Sequence, residues 1–266
     1  MRNEKERDYM VVKSNELIQK AAYRLTAEEQ KFLCYVVSRI KPTDKDFATI
    51  TVSAADYADL IGIDKGNAYR DFKKMADSFH DKARWIKMGD EVQLFQVFLK
   101  PTYNKKQGSL SVILDPDLKR HLLQLRSNYT EYELWNIISL KSKYAIRLYE
   151  LFKSYAYQRE TTFEIDNLKE LLCCENYKEF KAFRRRVLSP AIDEINELTN
   201  LSVECLLEKT GQGSKVQAVT FKITKKDSLA AYKAYRKTAD KINEKVGNIK
   251  GQYSLFDLQP EDFSKK

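Results

Sequence analysis

The chain has only two histidines, His80 and His121, and they stand far apart with no second histidine near either. Metal sites draw on closely spaced ligands, so zinc centres of the usual spacings are excluded. The histidine pair that serves metal-dependent DNA nicking beside a catalytic tyrosine is also missing, because the contexts are Phe79-His80-Asp81 and Arg120-His121-Leu122. Cysteine is nearly as scarce. Cys34, Cys173, Cys174 and Cys205 form no C-x-x-C pair, and each sits in or beside an apolar segment. They read as small buried hydrophobes in a reducing compartment. No G-x-x-x-x-G-K-S/T phosphate loop is present. The nearest run, Gly211-Gln212-Gly213-Ser214-Lys215, is too short to wrap a triphosphate and reads as a hairpin tip. No apolar stretch approaches the ~18 residues of a membrane span. Residues 1–10, MRNEKERDYM, lack the apolar middle of a secretory signal, so a cytoplasmic protein with no membrane partner is expected. These gaps leave no machinery for hydrolysis, and a non-enzymatic protein without metal or cofactor is expected.

What the chain does have is basic charge in two places. Its 266 residues carry 47 Lys+Arg against 38 Asp+Glu, a net of +9. Residues 178–186, KEFKAFRRR, contribute +4 and residues 225–250 contribute +5, so the remainder sums to zero. With 43% apolar residues, 16 Tyr and 13 Phe, the chain has ample core material and is no disordered polycation. Local concentrations of charge on a folding chain point to specific anionic contacts, with nucleic acid the leading candidate.

A first helix is expected near Ser14. Thr26 then caps a helix from Ala27 to Ile40, with Glu29 completing a capping box. A short strand over Ala48–Val52 follows, and a helix capped by Ser53 stops at Gly62. The next helix runs from about Gly66 to Lys82. Strands are expected over Arg84–Met88, Val92–Lys100 and Leu110–Leu114, with a basic turn, Asn104-Lys105-Lys106-Gln107-Gly108. A helix over Pro116–Leu125 closes this unit. The second unit opens with a long helix over Leu134–Tyr157 and a strand over Thr162–Ile165. A helix capped by Asp166 and one from Asn176 to Leu198 with Pro190 inside follow, then a hairpin over Leu201–Lys209 and Val216–Lys222.

The second unit repeats the first. Tyr69-Arg70-Asp71-Phe72-Lys73-Lys74-Met75 matches Tyr177-Lys178-Glu179-Phe180-Lys181-Ala182-Phe183 class for class except at Lys74/Ala182. Each copy follows a strand and a capped short helix, which favours duplication over chance. Helices followed by a two-stranded hairpin make a winged helix, in which one helix enters the major groove and the hairpin touches the flanking backbone. The expected fold class is α+β. Residues 1–11 would form an N-terminal tail, 12–127 and 128–225 two winged-helix domains, and 226–266 a flexible basic linker and C-terminal peptide.

Phe180, Phe183, Val187, Ala191 and Ile195 recur at helical steps and read as core. Lys178, Lys181 and Arg185, flanked by Arg184 and Arg186, then face outward. Three arginines near a helix start are disfavoured by the macrodipole, a cost that a phosphate or guanine partner would offset. Arginine suits bidentate contact with guanine, and Lys178 and Lys181 suit phosphates. The first copy presents Lys65, Asn67, Arg70, Lys73 and Lys74, diluted by Asp64, Asp71 and Asp77. Lys141, Lys143 and Arg147 on the long helix either grip backbone or solubilise the helix. Lys105 and Lys106 at one hairpin tip and Lys215 at the other complete the expected DNA-binding set.

Several segments, among them Leu25-Thr26-Ala27-Glu28-Glu29-Gln30-Lys31, Leu140-Lys141-Ser142-Lys143-Tyr144-Ala145-Ile146-Arg147-Leu148-Tyr149-Glu150 and Phe183-Arg184-Arg185-Arg186-Val187-Leu188, resemble the iteron-binding, theta-type plasmid replication initiators (Rep family). The likeness covers about residues 12–224. It implies two winged helices that both contact repeated double-stranded origin DNA, the second supplying the main recognition helix. It also implies monomers that start replication with host factors, in equilibrium with homodimers that repress their own promoter. A transcriptional repressor of the same fold without initiation activity is the alternative.

The likeness ends near Lys225. Residues 226–250 show no broad apolar face and read as a solvated linker, at most a linker helix. Gln252-Tyr253-Ser254-Leu255-Phe256 is similar to the Q-x-x-L-F peptide with which bacterial replication proteins dock onto the sliding clamp. In that reading Leu255 and Phe256 enter an apolar groove and Gln252 satisfies its edge. Docking of the tail on the protein's own surface is the competing reading.

Overall fold

The computed structural model describes residues 9–41, 43–62, 65–80, 84–88, 91–208, 216–246 and 258–263. Strand β1 (Met10–Ser14) runs into helix α1 (Asn15–Lys20), because the Ser14 hydroxyl accepts from the Leu17 amide. After β2 (Ala21–Ala22) comes α2 (Ala27–Ser38), whose start carries the expected capping box of Thr26 and Glu29. Strand β3 (Ile50–Ser53) leads to α3 (Ala54–Ile61), capped by Ser53 and closed by Gly62 at φ 69°. That left-handed backbone is open to glycine at little cost. Helix α4 (Lys65–His80) follows, then strands β4 (Arg84–Met88), β5 (Glu91–Phe95), β6 (Phe98–Asn104) and β7 (Ser109–Leu114). A 3-10 turn (Pro116–Leu118) and α5 (Lys119–Leu122) complete this stretch.

Strand β8 (Tyr129–Glu133), helices α6 (Trp135–Ile138) and α7 (Lys143–Tyr155), and strand β9 (Glu160–Glu164) come next. Helix α8 (Ile165–Leu171) precedes α9 (Phe180–Phe183), a π turn (Arg184–Leu188) and α10 (Ser189–Leu198). The hairpin β10 (Leu201–Glu208) and β11 (Ala218–Lys225) leads to α11 (Ser228–Val246) and a last 3-10 turn (Pro260–Phe263).

The duplication is visible in the sheets. One has the order β3-β7-β6 and another β9-β11-β10. In each, the strand before the helices pairs antiparallel with the far strand of the closing hairpin. The aromatic core of the first unit centres on Phe32, whose ring lies 5.4–6.0 Å from those of Tyr57, Phe72, Phe79 and Phe98. The second packs Phe152 against Phe221 at 4.8 Å. Within the repeated heptapeptide the inward positions differ. Phe72 is buried and Met75 half-buried, whereas Phe180 is half-buried and Phe183 fully buried.

Sequence periodicity misses several features. β1 pairs with β8, a strand pair that no local pattern announced. The expected strand Val92–Lys100 is interrupted between β5 and β6. The expected helix Leu134–Tyr157 is broken between α6 and α7, because Ser142 caps α7 and Glu194 accepts the Lys141 and Ser142 amides at 3.0 and 3.2 Å. Helix α8 begins after Glu164 and not at Asp166, and the Gln217 carbonyl accepts the free Ile165 amide. Residues 228–246 form no solvated linker. Ala231, Ala234, Tyr235, Thr238, Ala239 and Ile242 are buried along one side of α11. Small Ala231, Ala234, Thr238 and Ala239 let the helix approach closely, and Tyr235 and Ile242 supply the bulk, so a narrow stripe suffices where a broad apolar face was sought.

A charged network sits where β1, α2, β8 and α7 meet. Lys13 Nζ lies 2.6 Å from Glu150 Oε1 and 3.3 Å from Cys34 Sγ, and the Tyr132 hydroxyl donates to the same carboxylate oxygen at 2.6 Å. Burial alone would raise the Glu150 carboxyl, but Lys13, Arg147 and the Lys13 and Tyr132 hydrogen bonds outweigh it and hold the group below its usual range.

Candidate nucleic-acid interface

The second-unit helix is built to show cations on one side. Phe183, Val187, Leu188, Ala191, Ile195 and Leu198 are buried, while Lys181, Arg184, Arg185 and Arg186 are exposed. Lys178 is exposed too, in the loop that approaches the helix, since α9 starts at Phe180 and not at Asn176. The π turn has a local cause. Pro190 has no amide proton and its ring would collide with the carbonyl four residues back, so a regular α-helix is unfavourable through Arg186. Widening the turn, with the Ser189 amide donating to the Arg184 carbonyl, accommodates the ring. A wider turn rotates less per residue, which helps all three consecutive arginines stay on the solvent side. Burial raises the Cys205 thiol on β10, while nearby Arg184 works against it.

In the first unit α4 buries Phe72 and Phe79 and exposes Arg70, Lys73 and Lys74 together with Asp71 and Asp77. Arg70 lies 3.5 Å from Asp71, so the field is diluted as the sequence indicates. Lys65 and Asn67 belong to the same helix; their side chains lie outside the described residues. Lys105 and Lys106 are exposed at the β6–β7 tip. There Asn104 Oδ1 accepts the Lys106 and Gln107 amides at 3.0 and 3.1 Å and fixes the turn. Lys215, which falls in the chain between β10 and β11, and Gln252, Leu255 and Phe256 lie outside the described residues.

Lys141 is exposed just ahead of α7, and Lys143, half-buried, lies over the Tyr144 ring at 5.0 Å. The bonds to Glu194 tie this corner to α10, two turns beyond Arg186. Arg147 must be withdrawn from the DNA-binding set. It is buried, and its guanidinium donates to the Ile18 and Ala21 carbonyls at 2.6 and 2.5 Å, over the Tyr23 ring at 4.9 Å. It holds the end of α1 onto α7 and so is structural. Helical spacing put it on the face of Lys143, but residues 18–23 cover that face. One available signal was Glu150 at i+3, a charge among apolar neighbours that needed an internal partner.

Two exposed, helix-borne basic surfaces, each with a hairpin beside it, can engage the phosphates and base edges of a duplex. Residues 10–153 match the family described as "Initiator Replication protein, WH1", and residues 164–223 match "Initiator Rep protein, WH2". A replication initiation protein of Escherichia coli is 26% identical over 216 residues, covering 77% of this chain and 67% of that protein. An uncharacterized 27.6 kDa protein of Escherichia coli is 27% identical over 218 residues, covering 76% and 91%. Among solved structures, the Pi initiator protein in complex with iteron DNA superposes with a TM-score of 0.69 at 19% identity, over 82% of this chain and 98% of that one.

Proposed function

The chain belongs to the initiator replication protein family, and we propose that it binds repeated duplex sequences at a plasmid origin and promotes opening of the adjacent DNA. The observation that carries this reading is the exposed row Lys181, Arg184, Arg185 and Arg186, with Lys178 leading into it, on a helix whose other side is locked into the core. Arg184 and Arg185 read guanine edges, and Lys178, Lys181 and Arg186 hold phosphates. Lys65, Asn67, Arg70, Lys73 and Lys74, with Lys105 and Lys106, make a second and weaker contact. Lys141, Lys143 and Lys215 add backbone grip. As a dimer the protein represses its own promoter. As a monomer it recruits host replication factors, the sliding clamp among them through Gln252, Leu255 and Phe256.

Footprinting on DNA flanking the gene tests the core of this reading. A regularly spaced array of protected repeats is expected, and a single protected operator would favour the repressor alternative. Taking away two phosphate-binding cations with Lys178→Ala/Lys181→Ala should lower the slope of log K against log salt by about 1.8. Arg184→Ala/Arg185→Ala should instead cost about 1–3 kcal/mol for each guanine no longer read and relax sequence preference. Unchanged footprints in the arginine variant refute the assigned recognition helix. Clamp recruitment is tested by titrating a peptide of residues 248–260 against purified clamp. Equal affinity after Leu255→Ala/Phe256→Ala would end that part of the proposal.

A further inference from the structure

Helix α11 lies beyond both matched segments, which end at residues 153 and 223. It packs where the two units meet, touching the C-terminal end of α10 in the second and, in the first, the end of α3 that leads into α4. On the second unit, the Thr238 hydroxyl donates to the Leu198 carbonyl at 3.4 Å. Lys226, just ahead of α11, donates to the Asn196 and Thr199 carbonyls at 2.5 and 2.7 Å. Carbonyls at a helix C-terminus lack intrahelical partners and attract cations, so α10 is held by its natural handle.

One turn further along α11, buried Ile242 meets Gly62. A Cβ built on Gly62 would stand 3.3 Å from the Ile242 Cα, so the backbones are in close approach. Gly62 ends α3, shortly before α4 of the first unit begins at Lys65. Only four residues of α11 separate its hold on one unit from its hold on the other, about 6 Å of helix. A third hold lies between them and the helix start. The Tyr235 ring stands 5.5 Å from that of Trp135 at 82°, and Phe263 closes the cluster at 5.5 Å from Tyr235 and 6.1 Å from Trp135. The last turn is tied back by Leu258 N–H to the Tyr235 hydroxyl and by the Ser228 hydroxyl to the Phe263 carbonyl, both 2.9 Å.

We infer that α11 is a strut that fixes the separation and phase of α4 and the Arg184–Arg186 helix, with Tyr235, Thr238 and Ile242 as positioning residues, so that the protein accepts one spacing between the two halves of its DNA site. This rests on the proposal that both units contact one repeat. Its physical basis is effective concentration. When one unit is bound, a rigid link presents the second at high local concentration to one position on the duplex and to almost none elsewhere. One inserted base pair moves the second half-site by about 3.4 Å and turns it by about 35°. A loosely tethered unit could follow that displacement; a unit held at Gly62 and Leu198 cannot.

The test uses the full-length protein and fluorescent duplexes carrying the footprinted repeat. One duplex is intact, one has a base pair inserted between its two protected halves, and one carries only the second-unit half. The wild type should lose about tenfold or more in affinity on insertion. Ile242→Glu should bind the intact repeat more weakly, treat intact and inserted duplexes alike within about twofold, and bind the half-site as the wild type does. Ile242→Val should behave as wild type. If Ile242→Glu loses half-site binding, the unit itself is damaged, and the milder Tyr235→Leu is judged by the same criteria. Half-site binding retained together with wild-type spacing discrimination overturns the strut. A wild type that binds the repeat but tolerates insertion also overturns it and leaves the family reading intact. A wild type that binds no repeated duplex sinks that reading instead.

Discussion

Glu150→Gln changes one charge at the most enclosed ionic site among the described residues. Lys13 and Glu150 are 2% and 1% exposed, and both Lys13 Nζ and the Tyr132 hydroxyl point at the same carboxylate oxygen at 2.6 Å. The amide keeps the volume and can still accept from Tyr132, so the loss falls on the Lys13 ammonium, left in the interior without its anion. Removing one partner of a buried pair costs about 3–5 kcal/mol. At about 2–4 °C per kcal/mol for a structure of this size, Tm should fall by roughly 10 °C. Adding Lys13→Met removes the stranded charge, so the double variant should be less destabilised than the two single losses added together, by about 2 kcal/mol. Thermal melts followed by circular dichroism give all four values of the cycle. The signs with pH also follow. The folded Glu150 carboxyl sits below its ordinary 4.5, so its contribution is complete above that value and is lost as pH falls through the lower folded one. Burial would lower the Lys13 ammonium, but Cys34, Glu150 and Tyr23 hold it above its ordinary 10.5; its contribution is lost only as pH rises beyond that. A Glu150→Gln protein melting within about 2 °C of wild type would falsify the account.

Three further outcomes are expected. Thr26→Ala removes half of the capping box at α2 and should cost about 1–2 kcal/mol of unfolding free energy, read as a lower urea midpoint; an unchanged midpoint shows that the cap is redundant. His121 is held below its ordinary 6.5 by burial and by neighbouring Arg120, against Glu16, and Ser14 and Arg120 bond its two ring nitrogens. The stability it contributes is present above 6.5 and lost as pH falls through the lower folded value, so melts at pH 7.5 and 5.5 should differ more for wild type than for His121→Asn. Gly62→Ala forces a side chain into a left-handed backbone and against Ile242, and should destabilise by about 1–2 kcal/mol; a neutral effect by chemical denaturation would mean that α11 yields at that point.

The exposed basic surface of the second unit was legible because its signal is local. Phe183, Val187, Ala191 and Ile195 keep one helical face, so the intervening cations must lie elsewhere, and no distant element changes that. The Asn104–Gly108 turn and the Thr26 cap are equally local. Arg147 failed because spacing along a helix says which side chains share a face and not whether another segment covers it. The π turn was half-legible: Pro190 stood inside the expected helix, but the widened turn that accommodates its ring is seen only in the structure.

Sequence alone settled the inventory: two winged helices, their order, and the basic helix of the second. These follow from periodicity, capping and residue chemistry, which act within a few residues. Tertiary structure decided the rest. It paired β1 with β8, broke the long helix at Ser142 through Glu194, and buried Lys13, Arg147 and Glu150 together. It also turned a basic stretch that looked like linker into a helix seated against both units. Each of these depends on partners distant in the chain, and a burial cost that only such a partner offsets cannot be read from the residue that bears it.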